Sequence, residues 1–257
     1  MQSCLAVGAY CVIDVHNFAR WNGGIIGQGG PTNVQFADLW TQLATKYADN
    51  EFVIFELMNE PHELIFDSWV VSAQAAVNAI RAAETVSHII LLPGDTFSSA
   101  GTFISSGWGA AMAKITNPDK STTNLIFDLH KYLDIDNSGD HEECVMDNVA
   151  ATFEPVAAWL RTNKRQAILS ETGAAASDSV SISNFSQCNS QSRLLTCFAV
   201  LRRLLRTKRI YQQRLGCLYR LHRVGSGQSR QQVPPRPYPE QDRHQVDRYA
   251  DGGVVCD

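Results

Sequence analysis

Five continuous runs of apolar, β-branched or aromatic residues mark the first 173 positions of the chain: AYCVIDV (9–15), EFVIFELM (51–58), HIILLPG (88–94), NLIFDLH (124–130) and QAILSE (166–171). Hydrophobicity that is continuous rather than alternating predicts strands covered on both faces, as in a parallel sheet packed by helices. The segments between them carry the other period. NVQFADLWTQLATKYA (33–48), DSWVVSAQAAVNAIRAAE (67–84) and MDNVAATFEPVAAWLRTN (146–163) place apolar residues three and four apart, with Asp67 as the expected N-cap of the second. The connection from Gly94 to Asn124 is long and rich in Gly and Ser, which predicts a loop elaboration beside a helix.

Strand, helix, strand repeated in this way fits a (β/α) barrel or a doubly wound sheet. No GxGxxG or GxxxxGK[ST] stands at a strand-to-helix junction, so a nucleotide fold would lack its phosphate cradle. The expected fold class is therefore α/β, a (β/α)8 TIM barrel with five recognisable strands. Chemistry in such a barrel sits where the strands end. The polar residues there are Asp14 to Asn17, Asn59 and Glu60, Asp95, His130 to Tyr132, and Glu171.

Composition narrows the classes. The chain has 257 residues with 44% hydrophobic and 19% charged positions, and no apolar run approaches the ~20 residues of a membrane helix. Neither a membrane nor a nucleic-acid partner is expected. The N-terminal stretch up to Val15 lacks a basic region and carries Asp14, so it does not read as a signal peptide. Seven cysteines without a CxxC pair argue against a zinc site, and their scatter fits secreted disulfides and buried thiols equally.

The net charge of −4 conceals a break. Residues 1–173 hold 9 Lys and Arg against 20 Asp and Glu, whereas residues 174–257 hold 13 against 6. All five tryptophans fall in the first part, and 12 of the 16 arginines in the second.

Glu60 follows the second run and Glu171 the fifth, so a closed barrel would aim both carboxylates into one mouth. Paired carboxylates are what acetal hydrolysis needs: one protonates the leaving oxygen and the other attacks or stabilises the cationic carbon. His16, Asn59, His130 and Tyr132 stand at the same strand ends as neutral groups able to hold a hydroxyl or orient a carboxylate. Trp21 and Trp108 lie in Gly-rich loops where an indole could stack on a sugar ring, while Trp40, Trp69 and Trp159 read as core.

DVHNFARWNGGIIGQGGP (14–31), LMNEPH (57–62), LIFDLHKYLDIDNSG (125–139) and RQAILSETG (165–173) together resemble glycoside hydrolase family five, most closely its secreted fungal endo-β-1,4-glucanases. The resemblance covers residues 4 to 173. It implies a secreted, monomeric, retaining enzyme acting on β-glucan without metal or other cofactor. Glu60 would be the general acid/base and Glu171 the nucleophile. Asn59 would hold the 2-hydroxyl, His16 would line the same subsite, His130 and Tyr132 would position substrate and nucleophile, and Trp21 would bind sugar. A mannan-cleaving relative and a non-catalytic glucan-binding remnant are the alternatives.

Against that family pattern the five runs correspond to strands three to seven, and no candidate for its active-site arginine is present. Residues 1–173 are accordingly expected to form a partial catalytic barrel. Residues 174–257 carry neither the eighth unit nor its aromatic platform, and are expected to be a frameshifted or disordered basic tail. Leu194, Phe198, Leu201, Leu204 and Leu205 form an apolar stripe among arginines there, a pattern that a basic amphipathic helix shares with out-of-frame translation.

Overall fold

The computed structural model describes residues 1–83, 85, 87–141 and 148–173 and the backbone of 219–220. All five predicted runs form strands: β1 (Cys11–Asp14), β4 (Val53–Glu56), β5 (Ile90–Pro93), β6 (Leu125–Tyr132) and β7 (Ala167–Gly173). They pair in parallel in the order β7-β6-β5-β4-β1, and the two-residue strand β8 (Tyr219–Arg220) pairs in parallel with β1. Consecutive parallel neighbours linked by crossover helices make an incomplete (β/α)8 barrel. A two-stranded hairpin, β2 (Arg20–Trp21) and β3 (Gly24–Ile25), follows β1.

Strands β1, β4, β5 and β6 are buried on two faces, and β7 is half-buried beyond Ala167. Ile13, Phe55, Leu92, Phe127 and Leu129 point toward the helices and join the large cluster that contains Trp40, Trp69 and Trp108. The alternate positions Ile54, Leu91 and Ile126, with Val12 and Ile168 beside them, form a separate cluster on the opposite face. This second face is the barrel interior. Its apolar layer gives way toward the strands' C-terminal ends to Asp14, Glu56 and Asp128, all buried.

The helices follow the sequence with two adjustments. Helix α2 (Asn33–Tyr47) opens with a capping box, in which Thr32 Oγ1 accepts from Gln35 N and the Gln35 side chain accepts from Thr32 N. Helix α3 (Phe66–Ala82) begins one residue before Asp67, so Asp67 lies in its first turn and not at the cap. There its charge still favours the positive end of the helix. The segment around residue 150 is not one α-helix: a π turn (Val149–Phe153) precedes α6 (Glu154–Thr162). Pro155 cannot donate the bond an α-helix would require there, and the turn widens.

Two short helices, α4 (Asp95–Ser98) and α5 (Trp108–Met112), occupy the long Gly94–Asn124 connection. Helix α1 (Gln2–Ala6) is tied to β1 by a disulfide between Cys4 and Cys11, so at least these two cysteines are paired. Among the described residues no helix is long and apolar enough to cross a membrane. The amphipathic stripe at 194–205 and the rest of the expected basic tail lie outside the described residues, apart from the backbone of β8.

Candidate active site

Strand β4 ends at Glu56, and the next four residues carry the chain over the mouth. Asn59 N donates to Val15 O at 3.0 Å, and Ala19 N approaches Met58 Sδ at 3.0 Å, which seats this turn against the end of β1. Glu60 then adopts a left-handed backbone with φ 47°. For a residue with a Cβ this conformation is strained, and such strain gathers at functional sites. His62 Nδ1 contacts Glu60 O at 2.9 Å, and Arg20 Nη2 donates to His62 O at 2.7 Å, so the loop is held from both sides.

Strand β6 supplies His130 and Tyr132, both on the interior face with Asp128. The β6–β7 register slips between Leu129 and His130: Leu129 pairs with Leu169, but His130 pairs with Glu171. This bulge puts Glu171 level with His130 instead of Ser170. Its effect is local and specific. Ser170 Oγ turns to Asp128 Oδ1, while Glu171 Oε1 accepts the Tyr132 hydroxyl at 2.7 Å.

His130 joins the two carboxylates. Its Nδ1 is 2.8 Å from Glu60 Oε1 and 3.8 Å from Glu171 Oε2. An oxygen from each glutamate and a ring nitrogen of His130 lie within 4.8 Å of one another. Each glutamate therefore has one oxygen held and a second available to react. Glu60 and Glu171 keep 18% and 22% of their side-chain surface open, whereas His130 keeps 4%, so the carboxylates face the mouth and the imidazole lies beneath.

Below them lies a layer that the sequence reading did not single out as a unit. Asp14, Glu56 and Asp128 are each at most 2% exposed, and Asp14 and Glu56 are register partners on neighbouring strands. Burial first, and then the charges of Asp128 and Asp14, push the Glu56 carboxyl well above its usual range. Burial also raises Asp14, partly offset by His16, whose Nδ1 is 2.7 Å from Asp14 Oδ2. Burial alone would lower His130, but Asp128, Glu60 and Glu171 together hold it well above the ordinary imidazole value.

Of the residues predicted from sequence, Glu60, His130, Tyr132 and Glu171 come together directly. Asn59 is buried under the same turn, and His16 stands at the neighbouring strand end, backed by Asp14. Trp21 is 53% exposed on the β2–β3 hairpin, where it lines a groove with Asn22, Gly29, Pro31 and Gln35. That groove includes neither carboxylate. The connection to the site runs through Arg20, the adjacent residue. Trp108 is a correction: it is fully buried, with its ring edge-on to Phe103 at 4.6 Å between centroids, and offers no face to a sugar.

Among the described residues, three groups of side chains have the donor types and spacing to hold a divalent cation: Glu60, His130 and Glu171; Glu56, Asp128 and His130; and Asp134, Asp136 and His141. Cysteine spacing, on which the expectation of no metal partly rested, is blind to such carboxylate–histidine sets.

A family model described as Cellulase (glycosyl hydrolase family 5) matches residues 1–201. Endoglucanase EG-II of Hypocrea jecorina is 60% identical over 173 residues, covering 67% of this chain and 41% of the relative. Manganese dependent endoglucanase Eg5A of Phanerodontia chrysosporium is 52% identical over 177 residues, covering 67% and 45% respectively. The chain thus spans less than half the length of these curated relatives. Among solved structures, Cel5A (EG2) from Hypocrea jecorina superposes with a TM-score of 0.70 at 57% identity, covering 73% of this chain and 56% of that one.

Proposed function

Because the chain belongs to glycosyl hydrolase family 5, we propose that its mouth is the active centre of an endo-acting hydrolase that cuts internal β-1,4-glucosidic bonds of cellulose and related glucans with retention of configuration. The observation that carries this reading is the approach of Glu60 and Glu171 to within 4.8 Å across His130. Retaining glycosidases hold their carboxyl groups about 5–5.5 Å apart, while inverting ones leave about 6.5–9.5 Å for a water.

In the first step Glu60 delivers its proton to the glycosidic oxygen as it leaves, and an oxygen of Glu171 bonds to the anomeric carbon. The hydroxyl of Tyr132 occupies Glu171 Oε1 and so leaves Oε2 to attack. In the second step Glu60, now a carboxylate, takes a proton from water as that water displaces Glu171 and restores the β configuration. Electrons and protons balance across two carboxylates, and neither step calls on a cofactor.

Asn59 would hold the 2-hydroxyl and His16 would line the same subsite. Trp21, set back from the carboxylates on its hairpin, would serve as an outer platform. Secretion of the protein as a monomer belongs to the same reading, with residues 1–173 as the catalytic unit and the basic tail from 174 outside it.

Hydrolysis of carboxymethylcellulose by the full chain, beside Glu60→Gln and Glu171→Gln, tests the proposal. Turnover abolished in both variants supports it. A parent that binds glucan without cutting it would replace it with the remnant reading, and a preference for mannan would reassign the polymer. Proton NMR of the first anomer released from a β-cellobioside tests the stereochemistry: an α product overturns the double displacement.

A further inference from the structure

The sequence repeats one short pattern at two strand ends, Asp-Val-His at 14–16 and Asp-Leu-His at 128–130. In a strand, residues two apart share a face, so each aspartate lies on the barrel floor directly below its histidine. Asp14 Oδ2 meets His16 Nδ1 at 2.7 Å, and Asp128 Oδ2 faces His130 Nε2 at 3.4 Å. The two pairs engage different ring nitrogens. His16 is held by Nδ1, whereas His130 faces Asp128 with Nε2 as an ion pair without hydrogen-bond geometry and presents Nδ1 to Glu60 at 2.8 Å.

Asp128 is itself secured. It is fully buried, and Ser170 Oγ on the adjacent strand donates to its Oδ1. That bond exists because the β6–β7 bulge turns Ser170 to the floor while raising Glu171 to the mouth. One backbone irregularity thus sets the proposed nucleophile and fixes the aspartate beneath the proposed acid's partner.

We propose that Asp128 is a positioning residue for the proposed hydrolysis: anchored by Ser170, it holds the His130 ring so that Nδ1 keeps its proton on Glu60 Oε1 and leaves Glu60 Oε2 to face the leaving oxygen. The inference deepens the hydrolase reading and rests on it for its catalytic meaning. An Nδ1–H donor on one oxygen of Glu60 does not itself favour protonation, but when Glu60 is protonated it places the transferable proton on the other oxygen. The groups facing His130 are Asp14 from β1, Glu56 and Glu60 from β4 and its loop, Glu171 from β7 and Asp128 from its own strand, with Asp95 on α4 beside β6. Asp128 is the group within 3.4 Å of Nε2, on the ring side opposite to the Nδ1 that meets Glu60, a placement from which it can set the ring's orientation.

The experiment uses the full chain labelled with 15N at histidine, with kinetics on a chromogenic cello-oligosaccharide. In Asp128→Asn we expect kcat to fall about 100-fold, the scale of a misplaced reacting group, with KM within about twofold. The His130 titration should move to lower pH in the same variant. Ser170→Ala should shift both readouts in the same direction by less, and it decides the matter if Asp128→Asn fails to fold. Unchanged kcat and an unchanged His130 titration overturn the assignment. A parent that does not hydrolyse glucan defeats the hydrolase reading instead. The 15N shifts of the His130 ring, which distinguish a proton held on Nδ1 from one that is not, still report whether Asp128 orients the ring, and shifts indifferent to Asp128 overturn the inference.

Discussion

Gly94 lies flat against the indole of Trp108: a Cβ placed on Gly94 would stand 2.1 Å from Trp108 Cε3 and 2.2 Å from Cδ2. The indole also packs on Phe103 and donates Nε1–H to Ser99 O at 3.3 Å, so it has no free direction in which to retreat. Gly94→Ala should therefore lower unfolding stability by about 3 kcal/mol or more, the upper end of overpacking in a core. Urea denaturation of the two proteins measures this. Equal midpoints would mean that Trp108 can move.

Tyr132→Phe removes the hydroxyl that donates to Glu171 Oε1. A hydrogen bond to a charged group contributes about 1.5–3 kcal/mol, so kcat should drop about 10- to 100-fold, at roughly 1.4 kcal/mol per factor of ten. Steady-state kinetics on a cello-oligosaccharide would show it. A fall in affinity at constant kcat would instead mean that Tyr132 holds sugar and leaves the nucleophile alone.

Stability should fall as pH rises from the mildly acidic range. Glu56 keeps its proton in the folded chain above the ordinary carboxylate value of 4.5, and His130 keeps its proton above the ordinary imidazole value of 6.5. Over those windows the native state binds more protons than the unfolded one, so the slope of stability with pH is negative. Thermal melts across pH 4 to 9 should show the decline, beginning with Glu56 and continuing with His130. In Glu56→Gln, which holds a neutral side chain at every pH, the first part of the decline should shrink to the share of Asp14, which burial raises in the same direction. A melting temperature that climbs over the acidic part of the range would refute the assignment of Glu56.

Chelation separates the two-carboxylate route from a metal-assisted one. The double displacement proposed here balances without a cation, and turnover should be unchanged by EDTA or by added manganese. A loss of activity with EDTA that manganese restores would move one of the three carboxylate–histidine sets into the mechanism.

The strands were legible because β1, β4, β5 and β6 are buried on both faces, so their hydrophobicity runs unbroken; β7 kept the same run although only Ala167 is fully buried. The acid layer was harder to see, since Asp14, Glu56 and Asp128 each sit inside or at the end of such a run. The signal was parity: each is two residues beyond an interior-facing Val12, Ile54 or Ile126. Counting every second residue would have placed all three on one floor. The β2–β3 hairpin also had a local signature, since Asn22 and Gly23 both adopt positive φ between its strands, as an Asn-Gly turn favours. Trp108 could not be placed from sequence. A Gly-rich connection shows that the backbone can turn, but only the packing of Gly94 and Phe103 decides which side of the ring is covered.

The left-handed turn at Glu60 sets thermostability and chemistry against each other. Glycine would occupy that backbone without steric penalty, whereas a residue with a Cβ pays about 1–2 kcal/mol. A search for heat-tolerant variants that ignores turnover should drift toward glycine at position 60, and in doing so would discard the one side chain to which this reading gives the leaving group's proton.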